Sequence, residues 1–172
     1  MSSARLRDPL DDRRDGRDET PQERADRNWN EVLQELRVLQ TGTQILTGFL
    51  LALAFQPAFA DLSEAQRIVY LALVVLAALS SIIALSPVAL HRMLFQQNAK
   101  AAVVMFGHVA LFVALLTVSL LVVGVVGFVF DVVAGGAAVW WVLVGLGVLI
   151  VVLWLVVPAV IRARLRANGA TR

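Results

Sequence analysis

The chain has no cysteine, which excludes disulfides, a thiol nucleophile and thiolate metal sites. Charge is scarce as well: Asp, Glu, Lys and Arg make up 16% of the 172 residues, and nearly all of them lie before Thr41, in short gaps, or after Ile161. Beyond Glu64 the only carboxylate is Asp131, and with two histidines in all the apolar part has too few ligands for a metal cage. There is no HExxH pair and no nucleophile elbow with histidine and acid partners, so metalloprotease and serine-hydrolase chemistry both lack their residues. An enzyme is not expected, and no cofactor is implied. The glycines lack the strand, loop, helix and lysine context of a phosphate site. The formal charge is only +2, and the pI near 9.9 reflects arginine-rich ends without a clustered basic face, so nucleic acid is not an expected partner.

Apolar side chains are what the chain has in excess. Hydrophobic residues reach 59% and the mean hydropathy +0.76, well above a soluble composition. Such a chain takes the lipid bilayer as its solvent, and the expected fold is all-α, a four-helix transmembrane bundle. A signal peptide would place a short basic region before its apolar core, whereas about forty polar residues come first here, so the first apolar segment reads as a retained span.

Residues 1–24 interleave arginines with aspartates and add Pro9, Gly16 and Pro21. With almost nothing to bury, this segment is expected to be a disordered tail. Over 25–37 the pattern turns helical, with Trp29, Leu33 and Leu36 at spacings of four and three, which predicts an amphipathic interfacial helix that either lies at the headgroup level with Trp29 as its anchor or packs under the bundle. The transmembrane domain follows over 38–161, with spans expected at about 38–56, 64–86, 101–130 and 137–161, since a hydrocarbon core of about 30 Å needs roughly 20 helical residues. Pro57 ends the first span, and Ser63 with Gln66 makes a capping box that opens the second. Ala77, Ala78, Ser80, Ser81 and Ala84 give the second helix a run of small residues, and Pro87 kinks or ends it. A polar connection from His91 to Lys100 leads to a third helix long enough to tilt or project. Gly124 and Gly127, with Gly145 and Gly147 on the facing helix, would thin both for close contact. A turn at 131–136 forces a hairpin with the fourth helix, marked by Trp140 and Trp141 at its outer interface, and 162–172 is a basic tail.

Orientation follows from counting. With the N-terminus inside, every one of the 15 Lys and Arg residues except Arg67 stays on the inner side. Both termini are therefore expected in the cytoplasm and the chain in the plasma membrane.

An ionisable residue inside a span is a functional-site candidate because a charge there is costly, and only His108 qualifies. Counted inward from Lys100 it lies roughly 12 Å deep. Gln44, counted from Arg37, reaches a similar depth, with Thr41 near it and Ser80 and Ser81 close to the same level on the second helix. Facing one another, these residues would form either a proton-exchanging site with His108 titrating near neutrality or an interhelical polar clasp that fixes packing. The clasp is the more economical reading, because no carboxylate or lysine accompanies the histidine.

The segment Asn28-Trp29-Asn30-Glu31-Val32-Leu33-Gln34-Glu35-Leu36-Arg37-Val38-Leu39-Gln40-Thr41-Gly42-Thr43-Gln44-Ile45-Leu46 and the stretch Ser86-Pro87-Val88-Ala89-Leu90-His91-Arg92-Met93-Leu94-Phe95 resemble an uncharacterised bacterial membrane-protein family typical of actinobacteria. The resemblance covers roughly 24–161. Some members of that family carry the label sodium/proton antiporter, which would imply ion exchange, although no carboxylate lies within the four spans and no internal repeat is evident. The resemblance also directs attention to the inner entrance of the first span, where Glu31, Glu35, Arg37 and Gln40 adjoin Thr41 and Gln44. Arg37, Thr41, Gln44 and Gly48 share one helical face, which would line a wet vestibule or pack against His91 and Arg92.

The expected function is that of a non-enzymatic membrane module with a polar cytoplasmic face for a protein partner. The alternative is a small oligomeric ion or proton transporter built on His108 and the Gln44 face, as a homo-oligomer.

Overall fold

A computed structural model of the chain describes residues 20–94 and 100–169. The expected tail lies outside them except for 20–24, and so do Gln96, Gln97, Asn98 and 170–172. Residues 20–24 open a helix. Thr20 caps α1 (Pro21–Leu53): its Oγ1 accepts from the Glu23 amide at 3.3 Å, and the Glu23 carboxylate accepts from the Thr20 amide at 2.8 Å. Thr20-Pro21-Gln22-Glu23 thus combines a capping box with proline at the first helical position.

The expected interfacial helix and first span are one uninterrupted element. Trp29, Val32, Leu36, Leu39, Thr43, Leu46 and Leu50 alternate spacings of three and four along the whole of α1, and Val32, Leu36, Thr43 and Leu50 are buried. A single stripe needs a single helix to keep it facing one partner. The expected stripe is off by one position at its start, since Val32 is buried and Leu33 only half-buried. Gln56, extended ahead of Pro57, closes the segment and leads into a 3-10 turn, Pro57–Asp61, as the steric demand of proline on its predecessor requires.

Two further helices carry the same spacing. In α2 (Glu64–Leu94) the buried positions are Tyr70, Leu73, Ala77, Ser80, Ala84 and Pro87; in α3 (Lys100–Val133) they include Val103, Gly107, Ala110, Ala114, Leu121 and Phe128. Three stripes in this register pack α1, α2 and α3 against one another. Pro87 does not end α2, so His91 and Arg92 lie in its last turn and not in a connection. The Ile83 carbonyl, which Pro87 cannot serve, accepts instead from Ser86 Oγ at 2.7 Å. Within lipid this substitution spares an unsatisfied backbone group.

The core has two centres. Toward the end that carries the 57–63 and 134–136 turns, called here the loop end, Leu50, Tyr70, Leu73, Ala77, Leu121 and Phe128 cluster. Toward the opposite tail end, where α1 begins, Val32, Leu36, Ala84 and Ala114 do so. Tyr70 is buried. Its hydroxyl donates to the Leu50 carbonyl at 2.8 Å, one of the last four carbonyls of α1 and so without an intrahelical donor. Phe59 meets its ring edge-on at 4.9 Å.

The fourth helix is peripheral. It starts with α4 (Ala137–Val151), widens into a π turn at Val152–Val156 and continues as α5 (Val157–Gly169). Pro158 offers the Trp154 carbonyl no N–H and crowds it, and the wider turn ahead of it, with the Val157 amide on the Val152 carbonyl, accommodates that ring. Arg162, Arg164 and Arg166 therefore sit on a helix that prolongs the span. α4 packs against α3 and has no buried residue.

Among the described residues, four helices are long and apolar enough to cross a membrane, over 28 to 32 residues each. About 20 suffice for the hydrocarbon, so each overshoots by roughly 15 Å at 1.5 Å per residue. Gln66 Nε2 donates to Asp131 Oδ2 at 2.9 Å and Arg67 donates to the Ala60 carbonyl at 2.8 Å, which sets a polar belt at the loop end. The excess length is taken up by tilt or by projection beyond the hydrocarbon.

Candidate functional site

Inter-helix contacts give the relative heights of the polar residues. A Cβ on Gly107 would lie 3.1 Å from Val32 Cγ1, so His108 is level with the first turns of α1. Gln44 is twelve residues beyond Val32, about 18 Å farther toward the loop end. Counting each residue inward from its own charged flank puts His108 and Gln44 at one depth, whereas the packing of Gly107 on Val32 sets them about 18 Å apart along the bundle. Reckoned from Asp131, His108 is about 35 Å down α3, toward the tail end of the candidate span Val103–Val133.

The residues expected to face one another do not. His108, Gln44 and Thr41 are exposed on the outside of the bundle, Ser81 is half-buried, and Ser80 is buried on the stripe of α2. The hydroxyls are taken up locally. Thr41 donates to the Arg37 carbonyl at 2.9 Å, Thr43 to Leu39 at 2.9 Å and Thr47 to Thr43 at 2.7 Å. Ser80 donates to Leu76 at 2.9 Å, Ser81 to Ala77 at 3.1 Å and Thr117 to Ala114 at 3.0 Å. Each therefore satisfies itself on its own helix, and the interhelical clasp expected from their residue types is not made.

At the tail end the helices are joined by an aromatic contact. Trp29 and His91 stack with ring centroids 4.8 Å apart, and a Cβ on Gly107 would also reach Trp29 Cζ3 at 3.4 Å. Trp29 thus locks α1 onto α2 and α3, which is the packed alternative and not the headgroup anchor. Glu31 pairs with Arg27 at 3.4 Å. Glu35, Arg37 and Arg92 are exposed and Gln40 is half-buried; among the described residues, neither glutamate is seen paired with Arg92. The Arg37, Thr41, Gln44 and Gly48 face packs on neither His91 nor Arg92: it points away from the bundle.

At the loop end a groove of about 370 Å³ opens between α2, α3 and α4, lined by Val69, Gly124, Trp140 and Leu143 with Gln66 and Asp131 at its polar edge. Gln66 is fixed on both sides, since its Oε1 accepts from the Ser63 amide at 3.0 Å while its Nε2 holds Asp131. Asp131 sits unfavourably at the C-terminal end of its own helix, but the N-terminus of α2 beside it offsets that. Gly124 and Gly127 make the groove narrow in different directions. A Cβ on Gly124 would meet Leu73 Cδ2 at 2.5 Å and one on Gly127 would meet Leu143 Cδ2 at 2.6 Å, so the first admits α2 and the second α4. The Trp29–His91 stack and the Gln66–Asp131 bond escaped sequence reasoning, although Trp29 and His91 both lie in the stretches that carry the family resemblance. Among the described residues no group of acidic, histidine or cysteine side chains is arranged to hold a metal.

No curated protein and no solved structure matches the chain. One family model does, over residues 18–158, a range that takes in the Trp29 lock, all the buried stripes and the groove. The chain belongs to that family, described as a family of unknown function (DUF6328).

Proposed function

We propose that the protein is a non-enzymatic membrane module whose projecting tail-end helices present a polar surface to a cytoplasmic protein partner. The observation that carries this reading is the Trp29–His91 stack at 4.8 Å together with the seating of Val32 on Gly107. These contacts hold the first four turns of α1 against α2 and α3, so the exposed Glu31, Gln34 and Glu35 are displayed on a rigid support instead of a mobile arm, with Arg37 at the lipid boundary. Preorganisation of this kind lowers the ordering cost of binding. Placing that face in the cytoplasm follows the distribution of Lys and Arg.

The transporter alternative has less support. The hydroxyls are committed to their own backbones, His108 is outside the bundle, and no described residue places a carboxylate in the interior. The test is photo-crosslinking from positions 31 and 35 in native membranes, paired with proton and sodium flux in proteoliposomes. A discrete protein adduct that disappears on Trp29→Ala, with flux no greater than in empty vesicles, is the expected result. Flux abolished by His108→Ala in folded protein would reverse the choice.

A further inference from the structure

We propose that two copies of the chain associate through α1, with the Gln44 carboxamide of each hydrogen-bonded to the partner's Gln44 near the middle of the bilayer. The depth comes from the packing. Tyr70 reaches the Leu50 carbonyl and lies one turn below Gln66 in the polar belt, so Leu50 is about 6 Å inside the belt and Gln44 about 9 Å deeper. That total, about 15 Å, is half the thickness of a hydrocarbon core of about 30 Å.

Gln44 is exposed there and makes no hydrogen bond among the described residues. A carboxamide facing lipid tails leaves two donors and an acceptor unsatisfied, one of the costliest arrangements a neutral side chain can adopt. Its two methylenes are too short to bring the amide to either interface. Among the described residues no other exposed carboxamide lies at this depth, and the exposed face of α4 is apolar, so lipid covers it without penalty.

The surface around Gln44 suits close approach. Thr41 and Gly48 flank it one turn away on each side, on the face of α1 opposite the buried Thr43 and Leu50. A Cβ at Gly42 or Gly48 would meet nothing within 4 Å, and the Thr41 hydroxyl is already bound to the Arg37 carbonyl. Small residues beside a single polar group are what lipid-embedded helices use to associate. A second copy is the occupant because the amide is self-complementary: across a two-fold axis each N–H meets the other copy's carbonyl, and the same patch serves both chains. The association is independent of the cytoplasmic partner proposed above, and either may fail without the other.

The cysteine-free chain permits a direct test in full-length protein. Gly48→Cys in liposomes is expected to oxidise to a species of doubled mass, and Val75→Cys on the exposed side of α2 is not. Energy transfer between labelled copies, diluted with lipid, should show association weakened roughly tenfold by Gln44→Leu, while Gln44→Asn keeps most of it. Gly48→Leu, which has free space in a single chain, should separate the copies without unfolding them. A monomer at all dilutions, equal crosslinking at both positions, capture of a different protein in place of the second copy, or undiminished association in Gln44→Leu would each overturn the proposal.

Discussion

Gly124 and Gly145 are the same residue on facing helices, yet a methyl group added to each meets opposite surroundings. At Gly124 it would lie 2.5 Å from Leu73 Cδ2, and at Gly145 nothing lies within 4 Å. Gly124→Val is therefore expected to destabilise the bundle by about 1–3 kcal/mol through overpacking, and Gly145→Val by no more than about 0.5 kcal/mol; denaturation in mixed micelles would distinguish them. The role of Gly124 and Gly127 in thinning the third helix was legible from their residue type. Their partners were not: Gly124 receives Leu73 of α2 and Gly127 receives Leu143 of α4, while Gly145 and Gly147 receive nothing. His108 shows the same division. It stands out in the sequence as an ionisable residue in an apolar run, but its height depends on where α1 and α2 lie beside it.

Within α2, Pro87 is tolerated because Ser86 serves the carbonyl that proline abandons. Ser86→Ala should accordingly cost about 1 kcal/mol in the native chain and close to nothing in a Pro87→Ala background, where the restored N–H bonds Ile83 directly. A double-mutant cycle reads that coupling, and equal costs in both backgrounds would show that the hydroxyl has another role. The four helices themselves were legible from their apolar lengths. Two boundaries were not, and for one reason. Residues 25–37 looked separate from 38–56 because polarity changes near Arg37, although the buried stripe runs through that point unchanged, and His91 looked like loop because charge begins there. Polarity marks where lipid ends; packing marks where a helix ends. Here α1 and α2 run on through the change in polarity.

For the molecule as a whole, an even number of antiparallel spans puts the start of α1 and the end of α5 at one end, with Arg67 at the other. Tags on the two termini are expected to report the same compartment, and that compartment should be the cytoplasm; opposite compartments would rule out four spans. The long apolar runs alone determined that the chain is all-α and suited to lipid, because backbone groups in hydrocarbon must be satisfied internally and uncharged runs of about 20 residues or more do so as helices. The arginine-rich flanks predict an orientation for the same kind of reason, a cost that each residue meets singly. Tertiary structure decided which faces meet, that Trp29 and not a hydroxyl clasp joins the tail ends, and that Gln44 is left pointing outward. Those outcomes depend on the register between helices, a sum of many small contacts across the bundle that no single segment of sequence contains.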